Sequence, residues 1–251
     1  MSITQTFYDS LASHYDKLFL DWKATTEEQA AILEQILGEN GFDHGARILD
    51  CACGIGTQAI GLATLGYDVT ASDLSDGELA EAKARARKYQ VEVDFHHADF
   101  CALEETFSET FDIIICMDNA LPHMLSQKAL GEAIESIAGR MGEGSMFVAS
   151  IRDYDALLEE KPPYSPPYIH KNVQGQKVSF QTWEWKEDIY KLIQYIIDDE
   201  DTLEINKFEC EYRATRREEL TQLLLSNGCK EVNWLFPEDT GFYQPIVVAK
   251  K

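Results

Sequence analysis

The chain is expected to fold as an α/β domain around a doubly wound, mostly parallel sheet of seven strands. Short apolar runs alternate with helical stretches from residue 47 to residue 151, the rhythm of a sheet covered by helices on both faces. Residues 214–251 then add one helix and two more apolar runs, which suit an antiparallel hairpin closing the sheet. Between these halves, Lys161-Pro-Pro-Tyr-Ser-Pro-Pro-Tyr168 breaks the pattern, because each proline lacks a donor and restricts the residue before it.

Residues 1–40 read as helical. The run from Ala24-Thr-Thr-Glu-Glu carries a Thr cap and early acids, with Ala30, Ile32, Leu33 and Ile36 on one face, and ends near Gly38 and Gly41. Strands follow at Arg47–Asp50, Tyr67–Ser72, Val91–His96, Phe111–Met117 and Ser145–Ile151, with helices at Thr57–Leu65, Gly77–Tyr89 and Leu125–Met141 between them. Lys177–Trp185, Tyr190–Ile197 and Asn206–Tyr212 show strand patterning separated by turns. The organisation expected is a helical lid over 1–40, a cofactor-binding core over 41–152, and an antiparallel insert over 153–213 lying above the sheet's C-terminal edge. The core is completed by 214–251, with helix Arg216–Ser226 and strands Glu231–Phe236 and Tyr243–Ala249.

Composition narrows the function. With 44 acidic against 22 basic side chains the formal net charge is −22, which repels polyanions and argues against nucleic acid as a partner. The one dense basic cluster, Arg213-Ala-Thr-Arg216-Arg217, abuts Glu218-Glu219 and reads as a helix start with local ion pairs. No apolar run is long enough to cross a bilayer, and no secretory signal is visible, so the expected setting is cytoplasmic, with a small-molecule substrate. The six cysteines sit mostly in apolar runs, as buried free thiols do in a reducing compartment. Cys51-Ala-Cys53 lacks further ligands at metal-binding spacing, so no metal site is expected. Nothing in the pattern specifies an oligomeric state.

The strongest chemical signal is Ile48-Leu-Asp50-Cys-Ala52-Cys53-Gly54-Ile-Gly56-Thr. An apolar strand ends in an acid, and a loop of small residues then opens a helix. Such a loop lets a ligand approach the backbone, while the helix start offers unpaired N–H groups. The next strand ends at Asp73 in Ala71-Ser-Asp73-Leu74-Ser75, where a carboxylate can accept both hydroxyls of an adenosine ribose. Strand three is followed by Ala98-Asp99-Phe100, which could take an adenine amino group. Gly54-Ile-Gly56-Thr-Gln-Ala59 also fits a dinucleotide fingerprint, but there the first glycine follows the strand almost directly. The longer loop, the acid at the strand tip and the closing hairpin favour a different adenosine cofactor.

Asp50-Cys-Ala-Cys-Gly-Ile-Gly56 resembles motif I of the class I S-adenosylmethionine-dependent methyltransferases, in the form found in glycine N-methyltransferases. The likeness to that family, including the glycine/sarcosine N-methyltransferases, runs over most of the chain. It implies a Rossmann-like core binding S-adenosyl-L-methionine through Tyr15, Asp50, Ala52, Cys53, Gly54, Gly56, Asp73, Leu74, Asp99, Phe100, Met117 and Ala120. Cys116-Met-Asp-Asn119-Ala120-Leu-Pro-His123 is similar to the family's segment after strand four, whose Asn meets the substrate amino acid; Asp118 stands where that segment has glycine. Ser150-Ile-Arg152-Asp-Tyr154-Asp resembles a segment whose Arg clamps the substrate carboxylate. Lys207–Tyr212 and Gly241–Tyr243 are similar to two tyrosine-bearing segments lining the acceptor pocket. The catalytic group implied is Arg152, Asn119, His123, Tyr212 and Tyr243.

Elementary chemistry agrees. Methyl transfer is an in-line displacement at a sulfonium, so the protein chiefly aligns a neutral nucleophile. An arginine at the end of strand five can fork a carboxylate; the competing reading pairs Arg152 with Asp153, Asp155 or a glutamate of the insert. His123 is either a general base or a support for its loop. Tyr8, Tyr15, Trp22, Tyr168, Tyr212 and Tyr243 lie on segments expected to cover the site, whereas Trp183 and Trp185 share a strand face and suit packing. The function expected is methylation of the nitrogen of a small amino acid or amine. Methylation of an oxygen or sulfur, a dinucleotide-dependent oxidoreductase and a non-catalytic cofactor sensor remain as alternatives.

Overall fold

The computed structural model describes residues 3–171, 175–199 and 203–251. Its main sheet has seven strands: β1 (Arg47–Asp50), β2 (Asp68–Asp73), β3 (Asp94–His97), β4 (Phe111–Cys116), β5 (Met141–Ser150), β10 (Glu231–Leu235) and β11 (Ile246–Lys250). Their order is β10-β11-β5-β4-β1-β2-β3, parallel except at β11, which runs antiparallel to both neighbours. Ile113 and Ile115 face one side and Ile114 and Cys116 the other, and all four are fully buried. A strand covered on both faces needs apolar residues at every position, so these strands read as continuous runs.

Helices α2 (Trp22–Glu39), α3 (Thr57–Leu65) and α4 (Asp76–Tyr89) surround the first two strands, and α5 (Gln127–Gly139) and α7 (Arg217–Ser226) pack against each other. Ser75 caps α4 by accepting from Glu78 N, and Ser126 caps α5 by accepting from Ala129 N. The cap of α2 is Asp21, not a threonine, because Asp21 accepts from Ala24 N and Trp22 already lies in the helix. The third strand starts at Asp94 and not at Val91, since the Val91 amide closes α4 on Ala86 O. The last strand pairs only from Ile246, after the turn through Gly241 and Pro245. Helices α2 and α3 approach closely at Gly61, where an added Cβ would stand 2.7 Å from Ala30 Cβ and 2.9 Å from Thr26 O. Gly61→Ala is expected to lower the melting temperature by several degrees, about 1–3 kcal/mol of overpacking, with the cofactor cavity unchanged.

A second sheet, β6-β7-β8-β9, is antiparallel throughout: β6 (Tyr168–Lys171), β7 (Gln176–Lys186), β8 (Ile189–Asp199) and β9 (Glu204–Arg213). Sequence patterning showed three of these strands; β6 and the helix α6 (Tyr154–Glu160) of the same stretch were not anticipated. On β8, Tyr190, Leu192 and Ile196 alternate into the core shared with the main sheet. The short helix α1 (Ile3–Leu11) and the 3-10 segment Ala12–Leu18 tie both parts together. Asp9 accepts from Ser75 Oγ at 2.6 Å and from Gly77 N at 3.1 Å, while Lys17 pairs with Asp198 at 2.7 Å. The basic cluster is spent on ion pairs: Arg213 forks Glu219, and Arg216 and Arg217 meet Asp155. No helix among the described residues is long and apolar enough to cross a membrane.

Candidate functional site

The C-terminal ends of β1, β2, β3 and β4 open into one cavity of about 280 Å³, the place where parallel α/β sheets take ligands. Its wall includes the expected Tyr15, Ala52, Cys53, Gly54, Asp73, Leu74, Asp99, Phe100, Met117, Ala120 and His123. It also includes Thr4, Gln5, Tyr8, Gln58, Asp118 and Met124. Of these, the sequence points to Tyr8 as a covering aromatic and to Asp118 as the residue standing in a glycine's place, and gives no signal for the other four. Asp50 and Gly56 are absent from the wall, as are Asn119, Arg152, Tyr212 and Tyr243.

Asp73 is held by two amides: Oδ2 accepts from Gly54 N at 2.8 Å, and Oδ1 accepts from Ser75 N at 2.9 Å. Burial raises its pKa despite those bonds, which leave each oxygen a further lone pair for a ligand hydroxyl. Asp99 accepts from Cys101 N at 2.8 Å. Leu74, Phe100 and Met117 give the apolar surface a flat purine needs. Gly56 takes φ 88° as the left-handed residue before α3, and a Cβ there would meet Ile60 Cδ1 at 2.8 Å. The arrangement fits an adenosine cofactor.

Asp50 lies behind the loop, 1% exposed, with Oδ2 unpartnered and Oδ1 accepting weakly from Ala52 N. Burial pushes its pKa up to about 8. Between the ordinary value of 3.8 and about 8, the folded chain keeps a proton that the unfolded chain has released, so this group destabilises the fold as pH rises. Asp50→Asn removes the titration. The gap in urea midpoint, variant minus parent, should therefore widen in the variant's favour from pH 5 to pH 8.

At the other end of the cavity, Asp118 and Asn119 both take left-handed backbone, φ 55° and 69°, which explains why a glycine suits the first of these positions. The turn is fastened to β5: Asp118 N donates to Ser150 Oγ and Asn119 N to Ser150 O. Asn119 Oδ1 accepts from Arg152 N and from Tyr154 Oη, while its buried Nδ2 has no partner.

Arg152 meets no carboxylate within 4 Å among the described residues. Its guanidinium instead donates to Tyr190 Oη at 2.8 Å and Gln181 Oε1 at 3.0 Å. The rings of Trp183, Tyr212 and Tyr190 lie 5.0, 5.5 and 6.0 Å from its central carbon. Trp183 is therefore a wall of this cage and not packing alone. Tyr212 joins the cage to the cavity, its hydroxyl 3.4 Å from that of Tyr8.

His123 is buried, shares a 2.9 Å hydrogen bond with Tyr8 Oη, and its ring centroid lies 4.1 Å from that of Tyr212 at a tilt of 34°. Burial lowers its pKa to about 3, so it stays neutral and accepts protons poorly. Trp22 sits away from the wall, donating to Thr57 Oγ1 beneath Arg85, and Tyr168 is 64% exposed on β6.

The methyltransferase domain family matches residues 48–144. A glycine/sarcosine N-methyltransferase of Parasynechococcus marenigrum is 30% identical over 62% of this chain and 54% of its own length, so that match spans about half of the relative. One from Aphanothece halophytica is 24% identical over 98% of this chain and 89% of its own length. Among solved structures, an S-adenosylmethionine-dependent methyltransferase from Clostridium acetobutylicum shares the fold with a TM-score of 0.75 at 18% identity, covering 97% of this chain and 98% of that one. An amino pentose methyltransferase from Micromonospora echinaspora, solved with S-adenosylmethionine bound, has a TM-score of 0.73 at 17% identity over 95% of each chain. The domain match and the cavity at the ends of β1–β4 lead to one conclusion: residues 48–144 form a methyltransferase domain, on a chain that shares the fold of S-adenosylmethionine-dependent methyltransferases and resembles the glycine N-methyltransferases over most of its length.

Proposed function

We infer that the protein methylates the nitrogen of a small amino acid or related amine. The observation carrying this reading is Arg152: a cation at the edge of the site, gripped by neutral groups and aromatic faces, with no carboxylate among the described residues to satisfy it. Charge left over in a partly buried cage suits an anionic substrate group, and the planar guanidinium favours a carboxylate. The unpaired Nδ2 of Asn119 offers a donor beside it. The activity of the two relatives, glycine/sarcosine N-methylation, supports the same acceptor class.

Asp73 would accept the ribose hydroxyls, Asp99 the adenine amino group, and the Ala52–Gly54 backbone the methionine part, with Tyr15 above. Bound there, the cofactor supplies a methyl group on a sulfonium. The chain's part is to hold the acceptor in line with it and to exclude water, the work of Tyr8 and the buried Tyr212. His123, neutral and bonded to Tyr8, positions that hydroxyl and does not take the acceptor's proton.

Transfer of labelled methyl to glycine, sarcosine and dimethylglycine, beside a pool of other amines, thiols and phenols, tests the reading. Label on an amine carboxylate supports it. Label confined to a thiol or phenol assigns the chain to sulfur or oxygen methylation instead.

A further inference from the structure

An amine held near Arg152 arrives at neutral pH as an ammonium ion, which has no lone pair to attack with. Something must take its proton, and the titratable groups of the cavity can be sorted one by one. Asp73 and Asp99 lie at the nucleoside end, each bonded to backbone amides. Tyr8 and Tyr15 are phenols whose pKa burial raises further, and the thiols of Cys51 and Cys53 are also pushed up, the first by its neighbour Cys116 and then by burial, the second by burial. His123 is held neutral with a pKa of about 3. Asp118 remains.

We propose that Asp118 receives the ammonium end of the acceptor and takes the proton that the nitrogen must lose before it attacks the methyl group. The proposal rests on the amine reading of the acceptor. Asp118 lines the cavity and adjoins Asn119, whose amide oxygen accepts from the backbone N of Arg152, so the residue proposed for the carboxylate and the residue proposed for the ammonium are both anchored at the same asparagine. Its own partners are neutral donors: Tyr243 Oη to Oδ1 at 2.8 Å, and Gln58 Nε2 to Oδ2 at 2.8 Å. No Lys, Arg or His nitrogen lies within 4 Å of it among the described residues. Gln58 is steadied in turn by Gln29 Oε1. Each carboxylate oxygen keeps a lone pair for an incoming N–H.

The groups facing Asp118 are Tyr15 from the 3-10 segment, Asp50 from the end of β1, Gln58 from α3 and Tyr243 from the turn before β11. None of them is a cation, and burial raises the Asp118 pKa, which makes it a better base. In the step itself, one N–H proton passes to an Asp118 oxygen and leaves a lone pair on nitrogen. That pair forms the new N–C bond as the C–S bond breaks with its electrons moving to sulfur. Asp118 then returns its proton to water, one per methyl group transferred.

The test is Asp118→Gly, which places a glycine at a left-handed position and so avoids backbone strain, with Asp118→Asn beside it. In the parent, carboxylate and ammonium coexist, so kcat/KM for the amine should change by less than about threefold from pH 7 to pH 9. In either variant only the free amine reacts. For an amine with a pKa near that of lysine, about 10.4, kcat/KM should then rise about 100-fold over the same range, from a value far below the parent's at pH 7. A binding readout accompanies it in the complex with S-adenosylhomocysteine. The variants should bind the amine at least about tenfold more weakly than the parent, yet bind glycolate, a carboxylate with a hydroxyl for the ammonium, as the parent does. A variant whose pH profile stays parallel to the parent's overturns the role of Asp118 and leaves the amine reading standing. Weaker cofactor binding with unchanged amine binding also overturns it, by moving Asp118 to the methionine end. A parent that labels no amine overturns both.

Discussion

Replacing Arg152 by alanine should lower kcat/KM for a carboxylate-bearing acceptor by about a thousandfold while leaving cofactor affinity within about twofold. The magnitude follows from removing one partner of a partly buried, charge-assisted pair, which costs about 2–5 kcal/mol where the remaining charge has no other counterpart. Protein stability should change far less, because no carboxylate among the described residues pairs with Arg152 and Tyr190 Oη keeps its bond to Tyr154 when the guanidinium goes. Arg152→Lys separates charge from shape: a point charge cannot donate to Tyr190 and Gln181 and fork a carboxylate together, so most of the loss should remain. An acceptor amine lacking a carboxylate supplies the control, since it should react poorly with the parent and no worse with the variant. Steady-state kinetics with paired acceptors decides the matter. Equal losses for both acceptors would make Arg152 a structural support of the insert.

The cavity wall at the ends of β1–β4 was legible in the sequence and the surroundings of Arg152 only in outline, for a physical reason. Apart from Tyr15, the residues expected around the adenosine lie at or just after a strand's C-terminal end, so local order along the chain places Asp73, Leu74, Asp99 and Phe100 on one wall. Asp50 and Gly56 belong to the same loop but turn away from the cavity. One is buried behind it, and the other serves the left-handed entry to α3. The acceptor end depends on register within the insert. Gln181, Trp183 and Tyr190 reach Arg152 only because β7 pairs with β8 so that Trp185 faces Tyr190 and Gln181 faces Gln194. Two tryptophans two apart look like packing until that register is known. His123 shows the opposite limit: the residue type suggests a base, and the burial that makes it a poor one is a property of the folded environment. Asp118 could be seen as a departure from glycine, but its tyrosine and glutamine partners lie 125 and 60 positions away in the chain.

Asp73→Ala is expected to have the second large effect, on the cofactor instead of the acceptor. In the structure the Asp73 carboxylate already accepts from Gly54 N and Ser75 N. It therefore has two tasks: bracing the loop after β1 against the loop after β2, and presenting its remaining lone pairs to the ribose. Losing two charge-assisted hydrogen bonds to a ligand costs about 3–4 kcal/mol, which weakens cofactor binding by about 100- to 1000-fold. The same truncation leaves the two amides without their acceptor at a partly buried position, so the unliganded protein should also melt lower. Asp73→Asn tells the tasks apart. Its side-chain oxygen can accept from one of the amides but its nitrogen cannot accept from the other, so part of the stability returns while the ribose loses an acceptor. Calorimetric titration with S-adenosylhomocysteine, run beside thermal melts of the free protein, should thus show Asn close to Ala in affinity and between Ala and the parent in stability. Affinity tracking stability across all three proteins would mean that Asp73 acts on the cofactor only through the shape of the loop. Affinity lost in Asn while stability is largely retained would place the carboxylate on the cofactor itself.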